Sequence, residues 1–537
     1  MKLKFLFVAI VTLITVLSAC STDDKVEALA GITLSKTSLT LAPEKVDTLS
    51  CTFFPSKASN KELVWTSSDS SIATVSNAGI VTAVSVGSAI ITATSTSDNS
   101  IKATCEVSVA YTQLTNVSGD VKGLWAKNTI VHVTGHINVP QNESLTIEEG
   151  VQVIFDDNGV GTSHTPIEFL INGNLYCKGT KSNPILFSVA ESKRTNDNVF
   201  KGLWGGIIAT SKCSEMLVDH TFIEYTGGAV IADSPSAVAG IYTAGSDADP
   251  QITTNNPNGK YVITNSTLRN GTSDGIYMMG GQAIISNNLF YATGGTGGEA
   301  VNIKSGCKVD ASFNLIYSPS TNGFKLSSAG QDDASGKVQA LIRAYNNTIV
   351  NAGWRRDGVK GGSVYVEKNA LVSVFNNLMV NCKFKAQTPK WGTPSITDGC
   401  SDQSIIDYNF YASGSQQSTL SQDIQNGTTT SYLGYTLSNK NVFPKYVDVH
   451  SVVSASAGDE ATNPNFVNFP YNDNSLSSYS YDSTWDFHVK DGSPIFTGAY
   501  SASDSKMLPY FSSTGITING QIYTSPSPAA YFGAFGK

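Results

Sequence analysis

The chain has 537 residues, of which 40% are apolar and 15% charged, too many for one compact core and too apolar for a disordered chain, so two or more domains are expected. Its formal charge is −8, and loss of Lys2 and Lys4 with an N-terminal leader takes this to −10, which leaves no basic surface to neutralise phosphates and excludes nucleic acid as a partner. After residue 20, short alternating runs of Val, Ile, Thr, Tyr, Ser and Asn replace the Leu/Glu/Lys/Ala stretches that build helices, so the mature chain is predicted to be all-β.

Residues 1–19 open with Lys2 and Lys4, continue through an apolar run from Phe5 to Leu17 that is short for a bilayer span, and end in Leu17-Ser18-Ala19-Cys20. This resembles a lipoprotein signal peptide, which implies acylation at Cys20 and outer-membrane lipid as a partner. The alternative is an ordinary secretory leader with a chance cysteine. Residues 20–30 form a tether whose Ser21-Thr22-Asp23-Asp24 is similar to the acidic signal that places Bacteroidota lipoproteins on the cell exterior. Seven cysteines follow, Cys51, Cys105, Cys177, Cys213, Cys307, Cys382 and Cys400, and an odd count leaves at least one unpaired. Cys51 and Cys105 are read either as a bridge or as two buried thiols.

Residues 31–110 read as seven or so short strands of a β-sandwich with Trp65 in its core. The segments Val64-Trp65-Thr66-Ser67-Ser68-Asp69, Ile72-Ala73-Thr74-Val75, Gly79-Ile80-Val81-Thr82-Ala83 and Ala103-Thr104-Cys105-Glu106-Val107 resemble the bacterial immunoglobulin-like group 2 family. These are scaffold positions, and the resemblance implies a spacer, in some members an adhesive one.

Residues 111–537 carry a repeat of irregular period, the mark of a solenoid with variable loops. Aligning its strands on a polar residue flanked by apolar ones puts His220, Ser266, Asn288, Asn314, Asn347, Asn377 and Asn409 in one column. Successive members are 22 to 33 residues apart, apart from one gap of 46 that holds a polar insertion near Ser234 to Asn258. Stacked about 4.8 Å apart, such amides satisfy one another along an axis. A second strand recurs between them and sets Tyr277, Asn302, Lys325 and Tyr365 in one outward column, with Met279, Lys304, Ser327 and Glu367 in the next. The run Leu145-Thr146-Ile147-Glu148-Glu149-Gly150 and the later Asp486-Phe487-His488-Val489-Lys490-Asp491-Gly492-Ser493-Pro494 are similar to opening and closing segments of pectin-lyase-like β-helix proteins of Bacteroidota. The fold class expected is therefore all-β, an N-terminal Ig-like sandwich followed by a right-handed parallel β-helix.

Many β-helix proteins are polysaccharide lyases or hydrolases, which require converging carboxylates or a cation beside a uronate. The aligned columns hold one carboxylate, Glu367, and so predict no catalytic residues and no metal or cofactor, a structural calcium ion excepted. Asp156-Asp157, Asp247 with Asp249, and Asp332-Asp333 read as solvated turn residues. His132 and His136, four apart on a strand, are about 13 Å from one another and cannot share an ion. In Trp354-Arg355-Arg356-Asp357-Gly358-Val359-Lys360, an aromatic face beside two guanidinium groups suits an acidic sugar or a peptide carboxylate.

These readings describe a non-catalytic surface lipoprotein whose ridge of Tyr277, Asn302, Lys325, Tyr365, Trp354 and Arg355 binds an extracellular glycan, a peptide or, by resemblance, an outer-membrane nutrient importer. The first alternative is a polysaccharide lyase with Lys304 or Lys325 as base and Arg355 or Arg356 neutralising a uronate. The second is an adhesin.

Overall fold

Side chains alternate between core and solvent along nearly every extended segment, and in the computed structural model these segments become the strands of two units that divide between Tyr111 and Thr112. The structure describes residues 27–245, 248–295, 297–356, 362–384, 400–415, 422–425, 428–431, 449–472, 475–501 and 504–536. The leader, Cys20, Asp247, and Asp357 to Lys360 lie outside them. Among the described residues no helix is long and apolar enough to cross a membrane.

The first unit is a sandwich. A four-stranded sheet runs in the order Ser38–Leu41, Lys102–Val109, Gly87–Ser95, Leu63–Ser67, and faces a three-stranded one of Val46–Thr48, Ile80–Ala83 and Ala73–Val75. Leu39, Leu49, Val81, Ile91, Cys105 and Val107 fill the space between. Trp65 is half-buried at the edge of this cluster and not at its centre. A Cβ on Gly79, at φ +76°, would lie 3.0 Å from the Trp65 ring and 2.3 Å from the Leu49 carbonyl oxygen, so only glycine fits. Cys51 and Cys105 are free thiols, and burial pushes both upward in pKa.

The second unit is a parallel β-helix. Each full coil contributes one strand to each of three parallel sheets, as in Lys260–Thr264, Thr267–Gly271 and Ile276–Met278. The first sheet stacks ten strands from Gly123–Trp125 to Ile405–Ile406, and the other two are joined through Ile130–Val139, which pairs with both Gln152–Phe155 and Phe169–Ile171. Registers hold from coil to coil, so that Leu145, Leu175, Met216, Tyr261, Ala283, Val309, Ile342 and Val372 form one inward column, every member fully buried. Burial of a Val, Leu or Ile side chain contributes about 1.5–3 kcal/mol, which is why each coil repeats an apolar residue here.

The amide column lies at the corner between the first and second sheets. From Ser266 through Asn288, Asn314, Asn347 and Asn377 to Asn409 each member's backbone N–H donates to the next side-chain oxygen at 3.0 to 3.2 Å. From Asn288 onward each side-chain amide also donates back to a carbonyl of the preceding coil. The ladder continues to Ser451, whose Oγ accepts the Asn409 N–H at 2.9 Å. His220 is not a rung. The residue before each rung adopts positive φ, and His220 (+45°) belongs with Asn265 (+51°), Asn287 (+57°), Phe313 (+55°), Asn346 (+50°), Asn376 (+55°) and Tyr408 (+54°). The rung in that coil is Thr221, whose N–H donates to Ser266 Oγ at 3.1 Å, so the expected alignment there was one residue out of step.

The closing segment runs back along the solenoid. Phe466–Asn468 pairs antiparallel with Asp486–Val489, and the aromatic side chains Phe469, Trp485 and Phe487 pack on Tyr317. Beyond it, Asn519 N–H donates to Glu215 (2.8 Å), Phe511 N–H and Ser525 Oγ to Asp310 (2.9 and 2.6 Å), and Asn346 and Asn376 donate to the Ala529 carbonyl at 3.3 and 2.9 Å. The tail thus touches coils more than 160 residues apart in sequence, from Glu215 to Asn376.

Candidate functional site: a polar cleft on the third sheet

On the third sheet, Tyr277, Asn302, Lys325 and Tyr365 occupy successive rungs of one outward column, the register expected from the sequence. The column extends backward through Thr253, Ile208 and Leu170, all buried, with Tyr242 of the polar insertion lying against Thr253. A cleft of about 640 Å3 opens between the insertion residues Tyr242 and Pro250 on one side and Tyr277, Asn302, Lys304 and Arg356 on the other.

Two carboxyl groups line it that the aligned columns had missed. Asp274 and Glu299 stand two residues before the strands Ile276–Met278 and Val301–Ile303, in the same register. Asp274 Oδ1 accepts the Glu299 backbone N–H at 2.6 Å, and its Oδ2 accepts Asn302 Nδ2 at 2.9 Å. The same amide reaches Glu299 Oε2 at 3.5 Å, and Asn322 Nδ2 donates to Glu299 Oε1 at 3.3 Å. Burial, and then the Glu299 carboxylate hydrogen-bonded beside it, push Asp274 well above the usual carboxylate range. Asn302, 4% exposed, is buried rather than presented on a ridge; its Nδ2 clamps the pair, and its Oδ1 is left as a buried acceptor with no donor.

The cations approach from neighbouring turns. Lys304 lies over the Tyr277 ring, Nζ 5.4 Å from the centroid, and burial followed by the charge of Lys325 holds its amine below the ordinary lysine range. Lys325 itself pairs with Glu367 at 3.5 Å. The Arg356 guanidinium enters over the glycine loop, its Nη1 only 2.2 Å from where a Cβ on Gly297 would sit. Tyr242 meets Tyr277 edge to face at 6.3 Å and shares a hydrogen bond with Thr253 at 2.6 Å.

Trp354 and Arg355 are not part of this cleft. Trp354 Nε1 donates to the Asn381 carbonyl at 2.7 Å. Arg355 donates to the carbonyls of Thr293 (3.0 Å), Gly294 (2.7 Å), Gly295 (3.2 Å) and Ser318 (2.8 Å), with its guanidinium 4.6 Å from the Phe200 centroid. Burial lowers it to about 10. Those donors are committed to backbone, a positioning role that a sequence motif of adjacent arginines does not reveal.

The insertion is pinned by a second acid pair. Glu168 accepts the Ser236 N–H (2.7 Å) and Oγ–H (2.8 Å), and Asp249, expected in a solvated turn, is instead 1% exposed against it. Gly205 makes room, since a Cβ there would lie 2.7 Å from Asp249 Oδ2. Burial raises both carboxyls, Asp249 strongly and with the Glu168 charge adding to it.

Calcium requires six to eight oxygen ligands. Asp274 and Glu299 offer two carboxyls, and no group of three or more His, Cys, Asp or Glu among the described residues has the geometry to hold a metal. His132 and His136 are no exception, and His136 Nδ1 instead accepts the Glu168 N–H at 3.1 Å.

Comparison with known proteins bears on the first unit. Residues 28–107 match the family described as bacterial Ig-like domain (group 2). An uncharacterised protein of Clostridium acetobutylicum is 40% identical over 94 residues, 18% of this chain, and the match spans only 9% of that protein's length. The chain therefore carries a bacterial Ig-like group 2 domain followed by a parallel β-helix.

Proposed function

We propose that this is a surface protein, anchored in the outer membrane through acylated Cys20, whose β-helix binds an extracellular acidic glycan in the cleft at Tyr277, Asn302, Lys304 and Arg356 and serves an outer-membrane nutrient importer. The observation that carries the reading is the cleft of about 640 Å3 itself, in which the Tyr277 ring stands beside two cations, Lys304 and Arg356. The Tyr277 ring supports a pyranose face, and Lys304 and Arg356 meet a uronate carboxylate. The Ig-like domain is the spacer, and the leader and acidic tether direct the protein outward.

A second reading, a lyase, is favoured by one observation: Lys304 and Arg356 line one cleft, and Lys304 is held below the ordinary amine range. As base, Lys304 takes the proton next to the uronate carboxylate, the carbon–oxygen bond on the adjacent carbon breaks as the double bond forms, and the Asp274 carboxyl returns a proton to the leaving oxygen. The hydrolase alternative fits less well, because hydrolysis needs carboxyls about 5 to 9 Å apart and these two are hydrogen-bonded.

Affinity electrophoresis in gels of polygalacturonate, alginate and hyaluronan tests the binding reading. Retardation that Tyr277→Ala and Lys304→Met abolish supports it, and equal migration with and without these polymers removes it. Ultraviolet absorbance of unsaturated uronates, lost in Lys304→Met, decides for the lyase.

A further inference from the structure

A second cleft, of about 670 Å3, lies on the second sheet between the loop at Phe200 and the closing segment at Tyr479 and Tyr481. Its walls are aromatic. Tyr291 and Tyr481 stack with centroids 4.2 Å apart and planes 10° from parallel, Phe200 meets Tyr479 edge to face at 5.6 Å, and Tyr225 closes the floor at 5% exposure. Around these rings stand polar groups that carry no charge, Asn196, Asn270 and Ser483.

The two nearby guanidinium groups are already engaged by the protein. Arg269 Nε donates to Glu224, a carboxylate 1% exposed, and its Nη1 donates to Tyr291 Oη. Arg355, behind Phe200 and Tyr479, is held by four carbonyls. Most of the guanidinium donors an anion would need already have protein acceptors, and the cleft lining holds no carboxylate to receive a cation. Ring faces beside neutral amides and hydroxyls suit a ligand with apolar C–H faces and a rim of hydroxyl groups.

We propose that this aromatic cleft is a separate binding site for a neutral oligosaccharide. It shares no side chain with the cleft at Tyr277, and its occupant differs in charge from the acidic glycan assigned there. Two sites on different sheets of one solenoid allow a single chain to engage two kinds of sugar, or two segments of one mixed polymer.

The test is affinity electrophoresis of the full chain in gels of hydroxyethylcellulose, galactomannan, arabinoxylan and soluble starch, beside polygalacturonate. Retardation in at least one neutral gel is expected. It should be lost in Tyr481→Ala and also in Ser483→Arg, which sits on the exposed rim, keeps every ring and fills the mouth, while Tyr277→Ala leaves it unchanged. Normal migration in all four neutral gels overturns the proposal, as does retardation that survives both variants. Retardation in a neutral gel that Tyr277→Ala abolishes assigns the sugar to the other cleft and also overturns it. Polygalacturonate retardation sensitive to Tyr277→Ala reports on the acidic site alone, so the two assignments stand or fall separately.

Discussion

Replacement of Asn347 by Ala tests the amide column at its middle. Asn347 is fully buried; its Oδ1 accepts the Asn314 backbone N–H at 3.1 Å and Asn314 Nδ2 at 2.9 Å, and its Nδ2 donates to the Ala311 carbonyl at 3.0 Å and to Asn377 Oδ1 at 2.9 Å. Truncation leaves four groups in the adjacent coils short of a partner. A buried unsatisfied group costs about 1–3 kcal/mol, and taking the low end because the two acceptors keep other donors gives about 4 kcal/mol in all. Ser266→Ala, near the end of the column, removes the acceptor of the Thr221 N–H (3.1 Å) and a donor to the Thr264 carbonyl (2.7 Å), for about 1–2 kcal/mol. Urea unfolding of the full chain, read as midpoint shifts at constant slope, measures the difference, and amide hydrogen exchange at Asn314 and Asn377 locates it. Equal losses in the two variants, or protection lost evenly along the solenoid, would refute the reasoning.

Three other outcomes are expected. Gly297→Ala displaces the flexible Arg356 guanidinium from the first cleft, so acidic-glycan affinity should fall about tenfold with the urea midpoint nearly unchanged, as isothermal titration and unfolding will show. The Asp249–Glu168 pair holds a proton in the native state that the unfolded carboxyls release above about pH 4; its stabilisation is complete below that value and is lost as pH rises through the elevated native pKa. Urea midpoints should therefore fall from acidic to alkaline pH, and Asp249→Asn should flatten the decline, partly rather than wholly because Asp274 and Asp310 are raised in the same direction. Arg355→Lys cannot reach four carbonyls with a single ammonium, so it should destabilise the chain by about 2–4 kcal/mol in urea unfolding, while Tyr277-dependent binding persists.

The solenoid was legible because its stacking repeats one residue type at one place. Asn288, Asn314, Asn347, Asn377 and Asn409 are all amides, and buried amides recurring between apolar neighbours need partners of their own kind, which a stack of coils supplies. At His220 no amide marks the rung, and the alignment slipped by one; the reliable marker is the left-handed residue before the rung, which Asn265, Asn287, Asn346 and Asn376 announce by composition and Phe313 and Tyr408 do not. The outward column was placed correctly, yet its exposure was not, because Asn302 is covered by groups from other turns. Asp274 and Glu299 escaped notice since the columns were aligned only from the first strand residue; two positions earlier, Asp274, Glu299, Asn322 and Gly362 form a column of their own. The roles of Arg355 and Asp249 depend on contacts tens of residues away and leave no local trace.

The tail that returns along the coils changes how the molecule resists pulling and proteases. A bare stack of repeats frays from either end, each coil answering only to its neighbours. Here Glu215, Asp310, Asn346 and Asn376, from four coils, are tied to one strap, so the coils between Glu215 and Asn376 cannot peel away one by one until the strap detaches. The strapped stretch thereby yields as one block or hardly at all.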